Sequence, residues 1–134
     1  MCGIVGLFLK NSKLQEKLGE YLSSMLVKMS DRGPDSAGLA LYSSQKNFDT
    51  KLTMSIRNFI FVKEMELSLD RELKGKFCIN KRGSHIILQF FEIDRGIILK
   101  VLSKLEEPPR ILSEGNAIEI FKDVGSPILS LIHI

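Results

Sequence analysis

The chain of 134 residues is predicted to fold as a mixed α and β (α+β) domain. Three observations predict this class. Apolar residues recur every three or four positions in two segments, which indicates amphipathic helices. Short apolar runs lie between these segments, and some of them alternate with polar residues, which indicates strands. The two kinds of element are interspersed along the chain, which favours layers of helix and sheet within one domain.

The first predicted elements are a strand, a helix and a second strand. Residues 4–9 form an apolar run interrupted by Gly6, which predicts a buried strand whose glycine lets another backbone or a ligand approach closely. Ser12 and Gln15 have the spacing of a capping box, so a helix begins there. It ends before Pro34, which disfavours helical geometry in the residue ahead of it. Residues 37–42 are the next strand. The apolar stripe of the helix comprises Leu14, Leu18, Leu22, Met25, Leu26 and Met29.

The middle of the chain is predicted to hold three strands and a segment with two open interpretations. After a polar loop, apolar and polar residues alternate from Leu52 to Arg57, which is typical of a half-buried strand. Residues 63–76 are rich in charge and are either a short helix or an irregular insert. A brief strand at 77–79 and a longer one at 84–91 follow, separated by a turn at Lys81-Arg82-Gly83.

The last predicted elements are a helix and a β-hairpin. Asp94 caps the helix, and Pro108-Pro109 ends it. A turn at 114–116 then joins Ile111-Leu112 to the apolar run 117–121, which predicts a hairpin. The buried stripe of this helix comprises Ile97, Ile98, Val101, Leu102 and Leu105.

Composition excludes several classes of function. The chain is 44% hydrophobic and 26% charged, with a net charge of +3, as in an ordinary globular domain. It has no long basic block and no row of stacking aromatics, so we expect no nucleic-acid partner. No apolar run approaches the ~20 residues of a membrane span, and no signal peptide is visible. With two cysteines and no ligand cluster, we expect a cytoplasmic protein that binds no metal.

Cys2 is the candidate nucleophile. Removal of Met1 leaves Cys2 with a thiol, whose ordinary pKa is about 8.5, and an α-amine, whose ordinary pKa is about 7.7–8.0. The amine can therefore serve as the general base while the thiolate attacks a carbonyl, and no histidine is needed. Taken alone, Cys2 is more readily interpreted as the second residue of a frayed terminus.

Two motifs make the catalytic interpretation specific. Cys2-Gly3-Ile4-Val5-Gly6 is followed, after the predicted helix, by Arg32-Gly33-Pro34-Asp35-Ser36-Ala37-Gly38. This pair resembles the class II glutamine amidotransferases, which are N-terminal-nucleophile hydrolases. Within that family the chain looks most like stand-alone proteins related to glutamate synthase. The resemblance runs from Met1 to Tyr42 and extends to Pro127.

The resemblance implies a fold, a reaction and site residues. The fold is part of a four-layer αββα sandwich. The reaction is hydrolysis of the L-glutamine amide by Cys2, with ammonia passed to a partner synthase subunit or domain and with no cofactor. Arg32 and Gly33 are expected to support the backbone around the nucleophile, although a surface salt bridge is an alternative for Arg32. The family's downstream Asn-Gly oxyanion donors and its glutamine-binding arginine and aspartate have no match here.

Four other polar residues are expected to have structural rather than catalytic roles. Asp31 and Asp35 are expected to make turn and capping hydrogen bonds rather than a catalytic carboxylate pair. Cys78 is expected to be a small buried hydrophobe, and His85 has no partner at a spacing that suggests a site.

Residues 1–127 are expected to be the N-terminal part of the amidotransferase domain, and 128–134 a non-native tail. The tail can be back-translated into a sequence that resembles a transposon-derived sequencing adapter; a terminal apolar strand is the alternative. We therefore expect the parent protein to be the enzyme and this fragment to be inactive. The alternative function is a non-catalytic fold relative or regulatory subunit.

Overall fold

The computed structural model describes residues 3–32, 35–43 and 47–125. The described chain is α+β, with two antiparallel sheets. It divides into two compact units. The first holds the described residues up to Gly38 and from Lys122, and the second is Leu39–Phe121.

The first unit contains the first predicted helix. A 3-10 turn at Ser12–Lys17 leads into helix α1, Leu18–Val27. The helix is confirmed, but the predicted capping box is wrong, because the side-chain oxygen of Asn11 accepts from the Lys13 N–H at 3.0 Å. On the predicted stripe, Leu22 is buried. The cap lies one residue earlier because a short carboxamide reaches the free amides of the first turn.

The prediction of a buried strand at residues 4–9 is wrong in the described structure. Residues 3–11 form neither helix nor strand, and Ile4 and Phe8 are 94% and 84% exposed. Val5, Leu7 and Leu9 are half-buried, so the alternation of a strand is present without a pairing partner among the described residues. A Cβ added at Gly6 would meet nothing within 4 Å, so no close approach occurs there either. An apolar run specifies a preference for burial, but a strand also needs a hydrogen-bonded neighbour.

The second unit is built on a four-stranded antiparallel sheet and two helices that pack against it. The strands are β2 Thr50–Ser55, β3 Phe77–Arg82, β4 His85–Phe90 and β5 Arg110–Gly115, and the helices are α2 Ile60–Leu73 and α3 Arg95–Ser103. The strand order in the sheet is β3-β4-β2-β5. The segment predicted as a helix or an insert forms α2.

The hydrophobic core lies between one face of this sheet and the helices α2 and α3. Because side chains alternate along a strand, Leu52 and Met54 of β2 point to this core. The core comprises Leu52, Met54, Val62, Met65, Leu69, Leu73, Ile86, Leu88, Phe90, Ile98, Leu102 and Leu105. The stripe that predicted α3 is confirmed at Ile98, Leu102 and Leu105, whereas Ile97 is 38% exposed. Asp94, in the N-cap position, makes no side-chain capping hydrogen bond.

The opposite face of the sheet carries polar side chains that are also buried. We call this the polar face and define it by Lys51, Thr53, His85 and Ser113, all less than 9% exposed. The prediction that β2 is half-buried is therefore wrong, because β2 is a central strand that is buried on both faces. Alternation in the sequence shows which residues share a face, but it does not show whether the polar face is covered.

The second sheet has two strands, β1 Ser36–Tyr42 and β6 Ile118–Val124. The Ser43 N–H donates to the Ala117 carbonyl and the Gly125 N–H donates to the Asp35 carbonyl, both at 2.9 Å, so the pair is antiparallel. The predicted hairpin at 111–121 is therefore wrong. β5 pairs with β2, and the chain changes sheet before β6 begins.

Candidate functional site

The residues predicted to carry catalysis lie at the limits of the described chain. Cys2 and Gly33 are outside the described residues. Arg32 is the last residue of a 3-10 turn at Ser30–Arg32, and only its backbone is described. The roles of these three residues therefore stay predictions.

The segment before Arg32 is held by local hydrogen bonds. The Met29 N–H donates to the Leu26 carbonyl at 2.9 Å, and the Ser30 hydroxyl donates to the Val27 carbonyl. These bonds satisfy carbonyls at the end of α1, which the helix itself leaves free. In the described ranges, the carboxylates of Asp31 and Asp35 are exposed and form no hydrogen bond or ion pair, so nothing joins them as a catalytic pair.

A buried ionic cluster lies on the polar face of the second unit. The ammonium of Lys51, 1% exposed, donates to Glu119 Oε1 at 2.6 Å, to the Ser43 hydroxyl at 2.9 Å and to the Ser43 carbonyl at 3.1 Å. The Ser43 hydroxyl also donates to Glu119 Oε1 at 3.2 Å. The cluster joins β2 to the end of β1 and to β6.

This cluster contains a serine next to a lysine, an arrangement that can generate a nucleophile when the lysine is neutral. Here Lys51 acts as a hydrogen-bond donor, because it directs its amine to three acceptors, one of them the carboxylate of Glu119. The Ser43 hydroxyl accepts from Lys51 and donates to Glu119, not to the lysine. The arrangement ties strands together and does not activate Ser43.

His85 is buried, whereas Cys78 is only half-buried. His85 is 2% exposed, its Nδ1 is 3.1 Å from the Ser84 hydroxyl, and its ring lies edge-on to Phe121 with centroids 5.4 Å apart. Cys78 is half-buried on the edge strand β3, and the carboxamide of Asn80 approaches its sulfur at 3.7 Å. The prediction that Cys78 is buried is therefore wrong, because the edge position leaves one side of the strand uncovered.

The described residues contain neither a cluster of metal ligands nor a membrane-spanning helix. No group of three or more histidine, cysteine, aspartate or glutamate side chains there is arranged to hold a metal ion. None of the helices in residues 3–32, 35–43 and 47–125 has the length and apolar character needed to cross a membrane.

A second ion pair lies near the start of α3. The Arg95 guanidinium makes two hydrogen bonds to the carboxylate of Glu114 on β5, one of them 3.0 Å long. These hydrogen bonds lower the pKa of Glu114, and the opposite charge of Arg95 adds to the shift. Because the Arg95 side chain is 43% exposed, the pair is a surface contact and not a reactive site.

Sequence reasoning missed the ionic cluster. Lys51 follows a polar loop and precedes an alternating run, so the sequence indicates a solvated residue. Ser43 lies in the predicted loop, and Glu119 lies in the predicted hairpin. The alternation that places Lys51 and Thr53 on one face was a usable signal, but the burial of that face depends on residues distant in the sequence.

Comparisons with known proteins agree with the resemblance at a coarse level. The chain is 39% identical over 128 residues to the glutamine amidotransferase-like protein GlxB of Rhizobium meliloti (strain 1021). The aligned region covers 95% of this chain and 42% of that protein. It is 27% identical over 141 residues to a protein of Methanothermobacter thermautotrophicus named "Putative glutamine amidotransferase". That aligned region covers 94% of this chain and 44% of the relative.

The chain spans less than half the length of these two relatives. No family model matches it, and no solved structure matches it. Over nearly its whole length, the chain is thus similar to proteins named for glutamine amidotransfer.

Proposed function

We propose that the parent protein of this chain is a class II glutamine amidotransferase that hydrolyses the amide of L-glutamine and delivers ammonia to a partner synthase subunit or domain. The observation that carries the proposal is the 39% identity over 128 residues to a glutamine amidotransferase-like protein. The sequence Cys2-Gly3-Ile4-Val5-Gly6 supports the subclass, because it offers a nucleophile at the position that an N-terminal-nucleophile hydrolase requires.

In the proposed chemistry Cys2 supplies both the nucleophile and the base, and water completes the hydrolysis. The α-amine of Cys2 takes the thiol proton, and the thiolate adds to the side-chain carbonyl of glutamine. The tetrahedral intermediate collapses as its C–N bond breaks, and the α-ammonium returns the proton to the leaving ammonia. Water, deprotonated by the same amine, then hydrolyses the γ-glutamyl thioester to glutamate and restores the thiol. No step consumes a metal or a cofactor.

Arg32 and Gly33 are proposed to shape the backbone beside Cys2. The 3-10 turn at Ser30–Arg32 ends the first helical segment, and β1 begins four residues later. Described secondary structure therefore lies on both sides of this segment in the sequence, and a catalytic residue is positioned best by regular elements. We expect substitution of Arg32 to lower turnover, with Cys2 still present and unmodified.

We also propose that residues 1–127 are the N-terminal part of an αββα sandwich and that 128–134 are a non-native tail. Two helices covering one face of the four-stranded sheet, with a separate two-stranded sheet, are compatible with that architecture. The oxyanion donors and the glutamine-binding side chains have no counterparts in this sequence. Since one oxyanion donor is worth about a hundredfold in rate or more, we expect the 134-residue chain alone to be inactive.

The first experiment tests processing and thiol selectivity. We expect the intact mass after cytosolic expression to correspond to a chain that begins at Cys2, because the mechanism requires a free α-amine. A glutamine-mimicking electrophile should label Cys2 of the parent protein much faster than Cys78. Since Cys78 is half-buried, iodoacetamide is the matched control: it should modify both thiols. A retained Met1, or equal labelling by the glutamine mimic, would contradict the mechanism and favour a non-catalytic relative.

A further inference from the structure

The second unit contains a cavity of about 440 Å³. It lies where β2 ends, α2 begins and the connection from α3 enters β5. Its size is within the range of about 300–1,000 Å³ that is usual for small-molecule sites. None of the residues predicted to carry catalysis is among the residues that line it.

The inner lining of the cavity is apolar. Val62, Met65 and Leu105 are 2%, 1% and 7% exposed and belong to the hydrophobic core. Phe61 and the Pro108-Pro109 pair add further apolar surface. Proline also lacks an N–H, so that wall offers fewer hydrogen-bond donors. The interior therefore suits a compact apolar group and would not solvate a charge.

The remaining lining carries charges of both signs. Arg57 and Arg110 are exposed residues of this lining, located just after β2 and at the start of β5. Glu106 and Glu107 lie on the same lining. Within the described residues, none of these four side chains makes an ion pair or a side-chain hydrogen bond.

We propose that this cavity binds a free α-amino acid with an apolar side chain. The ligand carboxylate contacts the guanidinium groups of Arg57 and Arg110, which present paired donors to planar anions. Its ammonium faces Glu106 and Glu107, and its side chain occupies the space over Met65 and Leu105.

The charges of the lining favour a zwitterionic amino acid over two other classes of ligand. A polyphosphate or nucleotide would meet both glutamates and would leave the apolar interior unfilled. A fatty acid would satisfy the arginines but would offer no cation to the glutamates. A zwitterion with a compact apolar group complements all three parts of the lining.

The experiment measures binding of L-phenylalanine to the full chain by isothermal titration calorimetry. The analogues are 3-phenylpropionate, which lacks the ammonium, and L-phenylalaninamide, which lacks the carboxylate. We expect saturable binding of L-phenylalanine and at least tenfold weaker binding of each analogue. Arg57→Gln and Arg110→Gln should each weaken binding about tenfold, because each removes one guanidinium from the carboxylate. Arg71→Gln is the matched control: it lies on α2 outside this cavity and should bind as the unsubstituted chain does.

The outcome is independent of the glutaminase mechanism. Cys2→Ser, which removes the proposed nucleophile, should leave L-phenylalanine binding unchanged. The absence of saturable binding would overturn the inference, as would 3-phenylpropionate binding as tightly as L-phenylalanine. Far-UV circular dichroism checks that each variant folds. If one does not, the analogue series on the unsubstituted chain still decides the question.

Discussion

Substitution of Lys51 by methionine is expected to destabilise the second unit strongly. Methionine has a similar length and no charge, so it fills the space of the lysine chain and removes the ammonium. The change leaves the Glu119 carboxylate, 15% exposed, without its cation at 2.6 Å. It also removes the lysine hydrogen bonds to the Ser43 hydroxyl and carbonyl.

The magnitude follows from the burial of the pair. Removing one partner of a buried ion pair costs about 3–5 kcal/mol, because the other charge remains desolvated and unpaired. Glu119 keeps some contact with water, which places the cost near the lower limit, about 3 kcal/mol. Substituting both partners, as in Lys51→Met with Glu119→Leu, removes the stranded charge. We expect the double variant to recover most of the loss.

The assay is urea unfolding at equilibrium, and Lys63→Met is the matched control. Lys63 is an exposed lysine on α2, so its substitution should change the free energy of unfolding by less than about 0.5 kcal/mol. If Lys51→Met is as mild as Lys63→Met, the cluster does not stabilise the fold. If the double variant is less stable than Lys51→Met, the desolvation argument is wrong.

Three further predictions concern the core, an unsatisfied hydroxyl and an ion pair. Leu69→Ala should lower the free energy of unfolding by about 2–5 kcal/mol in urea, because Leu69 is fully buried, whereas Leu67→Ala on the exposed side of α2 should cost less than about 1 kcal/mol. Thr53→Val should not reduce thermal stability, since the buried Thr53 hydroxyl has no hydrogen-bond partner among the described residues; a clear loss would show that the hydroxyl is satisfied. The Arg95 contact lowers the pKa of Glu114, so it contributes stability above pH 4.5 that is lost as pH falls through the lowered pKa. Glu114→Gln should therefore be less stable than the unsubstituted chain at pH 7, with the difference closing in acid; a constant difference from pH 7 to pH 2.5 would contradict this.

Helix positions were the most predictable part of the fold. The stripes of α1 and α3 depend on residues three and four positions apart, so the local sequence contains the whole signal. The helix at residues 60–73 was less clear, because its outer face is dense in charge. The buried side of this helix, which comprises Val62, Met65, Leu69 and Leu73, can be recognised only when the sheet that it packs against is known.

Strand pairing could not be predicted from the same information. Ile111-Leu112 and the run 117–121 are separated by a turn sequence, which predicts a hairpin, yet β5 pairs with β2 and β6 pairs with β1. The choice of partner depends on contacts with residues more than fifty positions away. The same limit applies to Lys51, whose burial follows from Ser43 and Glu119 and not from its own neighbours.

The candidate site was predicted from two short motifs and not from folding arguments. Cys2 and the Arg32-Gly33 pair follow from the chemistry of an N-terminal thiol and from a family resemblance. The buried strand predicted at residues 4–9, directly after Cys2 and Gly3, is not observed, and Ile4 and Phe8 are exposed. The charged cavity was missed because its lining comes from three segments that only the fold brings together.

The proposed role of Cys2 is tested most directly by glutamine hydrolysis with the parent protein, measured as glutamate and ammonia released in equal amounts. Three forms are compared: unsubstituted, Cys2→Ser and Cys78→Ser. We expect turnover that Cys2→Ser abolishes and that Cys78→Ser leaves unchanged. Equal turnover by the Cys2→Ser form, or no turnover by a folded parent protein that begins at Cys2, would contradict it.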